Sequence, residues 1–133
     1  MVIVDTSIWS AFLRRNFCES PVEIDIFKNM VSSNQVLLLG IVKQELLSGI
    51  KHKRQFDRIA DILDGFSLVL ASSKDHIVAA GLYNTCRKHG IQGSHIDFLI
   101  CAQAINGNHS ILTTDGDFTH YAKLIPIELH QHA

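Results

Sequence analysis

Apolar residues fall into two rhythms along the chain. Short, mainly apolar runs at Val2 to Val4, Val36 to Leu39, Phe66 to Leu70 and Ile111 to Thr113 read as strands, Val36 to Leu39 as a continuous buried one, and so does Leu124 to Leu129, whose Pro126 suits an edge position. Between them apolar residues recur at helical spacing: Ile8, Trp9, Phe12 and Leu13; Ile26, Phe27, Met30 and Val31; then IVKQELLSG up to Gly49. KHKRQFDRIADILDGF continues the series on Phe56, Ile59, Ala60 and Leu63 and closes at Gly65. A further helix carries Ile77, Val78, Gly81 and Leu82, and DFTHYAKL makes a short one. Ser20-Pro21-Val22-Glu23 fits a capping box with proline at the first helical position, and Ser73 is placed to cap the helix that ends at Gly90. Strands alternating with helices predict an α/β domain built on a mostly parallel sheet covered on both faces, with no repeat and no linker.

One helix breaks the amphipathic rule. In SHIDFLICAQAI, residues 94 to 105, apolar side chains cover every face, which marks an element buried on several sides. Asp97 sits inside it. An unpaired carboxylate there costs several kcal/mol, or shifts its pKa until it is neutral, unless a cation or hydrogen bonds hold it. Its place in the first turn lets the helix dipole favour the charge by roughly 0.3 to 1 kcal/mol, too little by itself.

A chain of 133 residues, 47% hydrophobic and 19% charged, is expected to form one compact domain, residues 1 to 133, without disordered segments. No run approaches the roughly 18 apolar residues of a membrane span, and MVIVDTSIW lacks the pattern of a signal peptide, which points to a cytoplasmic protein without a membrane partner. Cys18, Cys86 and Cys101 are odd in number and lack CxxC spacing, so they read as reduced, mostly packed thiols. The eight histidines are scattered, and His130-x-His132 lies in a tail expected to fray. A net charge of −1 gives no global attraction for nucleic acid; a polyanion would need a local patch or metal ions.

Open α/β sheets bind ligands beyond the carboxyl ends of their strands, and the acids fall there. Asp5 closes the first strand, and Asp115 and Asp117 follow the fourth. Glu45, three and four residues after Val42 and Ile41, is expected on the apolar side of its helix. If these elements converge with Asp97, four or five carboxylates meet at one sheet edge, and their repulsion calls for a cation. Oxygen ligands without accompanying histidine or thiolate point to Mg²⁺ or Mn²⁺. Taken singly, each acid has a plainer role: a turn or cap for Asp5, Asp115 and Asp117, an N-cap for Asp97, an ion pair with Lys43, Arg54 or Arg58 for Glu45.

VDTSIW at the N-terminus, E-L-x-x-G at Glu45 to Gly49, D-x-L-I-x-A at Asp97 to Ala102 and L-T-x-D-x-D-F at Leu112 to Phe118 together resemble the PIN domain family, and within it the VapC-type ribonuclease toxins of toxin-antitoxin systems. Asp75 to Ala80 resembles the family's helix ahead of the third acid, and the likeness spans about residues 2 to 129. It implies a three-layer α/β/α domain, a homodimer, and Mg²⁺- or Mn²⁺-dependent cleavage of RNA leaving a 5′-phosphate and a 3′-hydroxyl. Carried over, Asp5, Glu45, Asp97 and Asp115 form the catalytic quartet, with Asp117 as a fifth member and Asp5, Asp97, Asp115 and Asp117 as metal ligands, Asp5 and Asp97 foremost. Thr6 and Ser7 would orient the first acid or a bound water, with Thr113 or Thr114 in a similar role, unless these hydroxyls only cap helices. A small antitoxin laid across the acidic groove is the implied partner, and a chain this short with nothing appended favours the toxin over a maturation nuclease. The family gives His95 and Cys101 no role; Cys101 reads as core and His95 as a surface or groove residue.

Lys51, His52, Lys53 and Arg54 are the densest basic run and Arg14-Arg15 a smaller one; Lys51, Lys53, Arg54 and Arg14 are candidate phosphate contacts, though such runs are commonly solvated helix faces. Two rival enzymes fit poorly. A haloacid-dehalogenase-like phosphatase needs a second Asp where Ser7 stands, and a receiver domain needs an acidic pair where Asp5-Thr6 stands. A non-catalytic PIN-like binding module is the remaining alternative, and five intact acids show no degeneration toward it.

Overall fold

The computed structural model describes residues 1–14 and 21–130. The expected Ser20 capping box, Arg15, Cys18 and His132 lie outside the described residues. In chain order the elements are β1 (Val2–Val4), α1 (Thr6–Leu13), α2 (Pro21–Ser32), β2 (Val36–Leu39), α3 (Gly40–Leu47), α4 (Lys53–Leu63), β3 (Leu68–Val69), α5 (Ser73–Lys88), α6 (His95–Gly107), β4 (Ser110–Leu112) and α7 (Asp117–Ala122).

The four strands form one parallel sheet in the order β3-β2-β1-β4, with Ile3 opposite Leu37 on one side and Ile111 on the other. β1 and β2 are buried at every position, as strands covered on both faces must be. Trp9 of α1 meets Phe27 and Phe66 edge to face at centroid distances of 4.9 and 4.8 Å, and Phe98, Phe118 and Tyr121 form a second aromatic group against α6. This is the α/β/α arrangement expected.

α6 is buried over Phe98 to Ala104, in keeping with its all-round apolar sequence, and Asn108 ends it in the left-handed conformation. Cys101 is core, as is Cys86, and burial pushes both thiols up.

Several expected boundaries shift. Leu124 to Leu129 is not a strand: Pro126 removes a donor, and only a parallel bridge between Ile111 and Leu129 forms beside β4. β3 keeps two residues of the expected five. α4 begins at Lys53, so Lys51 and His52 precede it, and Phe56 is 38% exposed, not inward. Ser72, not Ser73, caps α5; its Oγ accepts from the Asp75 N–H while Asp75 Oδ2 accepts from the Ser72 N–H, a complete capping box. Ile77 of α5, expected inward, is 70% exposed.

Candidate functional site

β1 delivers Asp5 at its carboxyl end, and β4 delivers Thr113 and Asp115 next to it, because the two strands pair in parallel from Val2↔Ser110 to Val4↔Leu112. Asp5 is buried and stands at the N-cap position of α1, yet its side chain makes no capping bond. Its Oδ2 accepts from Ser7 Oγ at 2.9 Å and from Thr113 Oγ1 at 2.7 Å. Thr113 Oγ1 in turn accepts from the Asp115 N–H at 2.9 Å, and Ser7 Oγ accepts from the Thr114 N–H at 3.2 Å. These two hydroxyls orient acids and do not cap helices; Thr114 takes part through its backbone while its side chain is exposed.

Asp97 enters from α6. Ser94 is the N-cap, accepting from the Asp97 N–H at 3.0 Å, so Asp97 is not itself the cap. Its carboxylate is part-buried and accepts from the Tyr121 hydroxyl at 2.7 Å through Oδ2. Burial pushes the Asp97 carboxyl above the usual range, the bonds from Tyr121 and Ser94 pull it down, and the charges of Asp5 and Asp115 push it up again. Tyr121 is likewise held up, by burial and then by Asp97, so it keeps its proton as a donor. Sequence reasoning missed Tyr121; an aromatic four residues beyond Asp117, on the same short helix, was the available signal.

One oxygen from each of Asp97, Asp115 and Asp117 lies within 4.8 Å of the others. Asp115 Oδ1 accepts from the Asp117 N–H at 2.9 Å, a local turn that keeps the two acids side by side. Asp5 stands outside this group, turned onto its two hydroxyls, while its charge is felt at Asp97.

Glu45 departs from expectation. It is exposed, not turned into the apolar side of α3, because Val42 alone is buried there and Glu45 comes one turn later, at the rim where α1 begins. Thr6 meets it there and donates its Oγ1 proton to Glu45 Oε1, so Thr6 orients Glu45 and not Asp5. Lys43 pairs instead with Asp64, at 2.8 Å, and no ion pair of Glu45 occurs among the described residues. Lys51, Lys53 and Arg54 are exposed at the start of α4, with Lys53 paired to Asp57 at 3.0 Å; Arg14 closes α1 with its Nε on the Ser10 carbonyl. None of these four contacts the acids.

The donor set fits a divalent cation. All three converging groups are carboxylate oxygens, the hard ligands that Mg²⁺ and Mn²⁺ take, and at Asp97 burial and the charges of Asp5 and Asp115 disfavour the ionised form that a cation would favour.

The neighbours of known structure share this architecture. VapBC2 from Rickettsia felis bound to a DNA fragment from their promoter is 21% identical with a TM-score of 0.78, covering 98% of both chains. A toxin-antitoxin complex from Klebsiella pneumoniae is 20% identical (TM-score 0.67, 97% of this chain and 100% of that one). VapC20 of Mycobacterium tuberculosis, a sarcin-ricin loop cleaving toxin, is 18% identical (TM-score 0.70, 96% and 99%). No curated protein matches the sequence. The PIN domain model matches residues 2–124, nearly the full length of the described fold, and the chain belongs to the PIN domain family.

Proposed function

We propose that the protein is a divalent-metal-dependent endoribonuclease, the toxin of a toxin-antitoxin pair, hydrolysing RNA phosphodiester bonds at the acidic edge of the sheet. The observation that carries this is the convergence of Asp97, Asp115 and Asp117 oxygens within 4.8 Å, beside a buried Asp5. Asp97, Asp115 and Asp117 would hold the cation, Mg²⁺ or Mn²⁺, with Asp5 next to them. When bound, such an ion neutralises charge developing on the phosphoryl group and makes water easier to deprotonate.

The chain's own groups do the positioning. Ser7 and Thr113 fix the Asp5 carboxylate, Tyr121 fixes Asp97 while keeping its own proton, and Thr6 fixes Glu45 at the rim, where it can accept a proton from water. Among the described residues no histidine hydrogen-bonds these acids, and the reading assigns proton transfer to carboxylates.

The partners follow from the same reading: an RNA substrate, a small antitoxin protein and a second copy of the chain. The Klebsiella pneumoniae neighbour is a toxin-antitoxin complex, which supports the antitoxin. No described helix is long and apolar enough to cross a membrane.

The test is cleavage of a mixed RNA pool by purified protein with Mg²⁺, with Mn²⁺ and with EDTA. Cutting with metal and none with EDTA is expected. Cutting undiminished by EDTA, or none by folded, antitoxin-free protein, refutes the proposal; the second result favours the non-catalytic binding module.

A further inference from the structure

The most unusual surface near the acids is a polar ring without a polar partner. His95, the first residue of α6, is exposed, and its imidazole lies flat on the half-buried ring of Tyr83, with centroids 4.8 Å apart and planes 13° from parallel. No hydrogen bond or ion pair engages His95 among the described residues. Beside the pair, Arg87 donates from Nη1 to the Tyr83 hydroxyl at 2.8 Å, sits 5.7 Å from the ring centroid and has no carboxylate partner among the described residues.

This platform is tied to the acid cluster through rings. Tyr83 packs edge-on against Phe98 at 5.8 Å, Phe98 lies 4.9 Å from Tyr121, and Tyr121 donates to Asp97. His95 and Asp97 both lie in the first turn of α6 but, two residues apart, leave it on different sides, so the ring contacts and not a shared helix face join the platform to the acids. Next to the platform a half-open groove of about 460 Å³ runs between α5 and α6, lined by Ile41, Ala80, Tyr83, Asn84, His95 and Leu99, a volume within the range of small-ligand sites.

We propose that the outer face of His95, backed by Tyr83, is a stacking subsite for a base of the RNA strand adjoining the bond that is cut, with Arg87 placed for a phosphate. Stacking needs an exposed, rigid π-face, and the Tyr83 support supplies the rigidity. His95 and Tyr83 thus act in substrate selection, not in the chemical step. The inference rests on the nuclease reading for its substrate class, and the experiment separates the two.

Binding of single-stranded RNA carrying 2-aminopurine is measured in an Asp97→Asn background, where no cleavage intervenes, alongside cleavage by the chain with Asp97 intact. His95→Ala is expected to weaken binding roughly tenfold, in line with the loss of one stacked base, and to abolish quenching of the fluorescent base. His95→Phe is expected to restore both. In cleavage, His95→Ala raises KM with kcat unchanged, and Arg87→Gln lowers the salt slope of binding by about one unit. If binding and quenching follow His95 while the intact chain cuts no RNA, the subsite stands and the nuclease reading falls. Unchanged RNA binding by His95→Ala overturns the subsite. So does a loss of self-association in His95→Ala with RNA binding intact, which assigns the face to a second copy of the chain, and so does the absence of any RNA binding.

Discussion

Tyr121 donates its hydroxyl proton to Asp97 at 2.7 Å, linking α7 to the first turn of α6. That bond answers only part of what a half-buried carboxylate requires. Burial and the charges of Asp5 and Asp115 still push Asp97 toward its neutral form. In the metal-free protein, then, the ionised form of Asp97 works against folding at neutral pH.

Asp97→Asn is therefore expected to raise the melting temperature of the metal-free protein by a few degrees, about 1 kcal/mol, since the amide can still accept from Tyr121. Thermal unfolding in EDTA measures it. A melting temperature clearly below that of the parent protein would show that the charge is already compensated.

Tyr121→Phe removes the donor and leaves the carboxylate under-bonded, at an expected cost of about 1–3 kcal/mol. In the Asp97→Asn background the cost should shrink, because a neutral amide needs the donor less. A double-mutant cycle reads that coupling directly, and strictly additive effects would deny it.

Gly93 is fixed by space. A Cβ there would stand 2.5 Å from the Tyr121 hydroxyl and 2.7 Å from Phe98 Cε2. Gly93→Ala is expected to destabilise by about 1–3 kcal/mol and to displace Tyr121 from Asp97, weakening Mn²⁺ binding as well as folding. Gly116→Ala, where a Cβ meets nothing within 4 Å, is the control.

How much of this was legible beforehand varies with the kind of force involved. The strands that bury both faces, Val2–Val4 and Val36–Leu39, declare themselves as apolar runs, and a lone Asp97 in an all-apolar helix announces a partner. Leu124 to Leu129 reads equally like a strand, but at a sheet edge Pro126 and tertiary packing leave one bridge. Glu45 and Ile77 mislead because helical spacing says which side residues share and not how far the neighbouring layer extends: α3 ends at the rim, and the described residues leave Ile77 70% exposed. Tyr121 and the turning of Thr6 toward Glu45 depend on contacts across 24 and 39 positions, which no local pattern carries.

Away from the acids, Asp75 makes the pH dependence testable. Burial raises its carboxyl, but the Ser72 backbone N–H, the Asn106 amide and the Ser72 side chain outweigh this, with a smaller contribution from His76, and hold it below 3.8. A lowered folded pKa means stability that is present above about pH 4 and lost as pH falls through the folded value. Asp75→Ala should lower the melting temperature at pH 6, and the gap should narrow as the pH falls below 3.8. A gap that persists at low pH would assign the effect to something other than the ionised cap.

In the proposed function one cation site, formed by Asp97, Asp115 and Asp117, governs RNA hydrolysis. The most direct test is a Mn²⁺ titration followed both by heat of binding and by cleavage of the same RNA pool, for the parent chain, Asp97→Asn and the distant Asp75→Asn. Binding and cleavage should saturate together in the parent chain and in Asp75→Asn, and both should vanish in Asp97→Asn. Cleavage by folded Asp97→Asn at the parent rate, or cleavage that ignores Mn²⁺ binding, would contradict it.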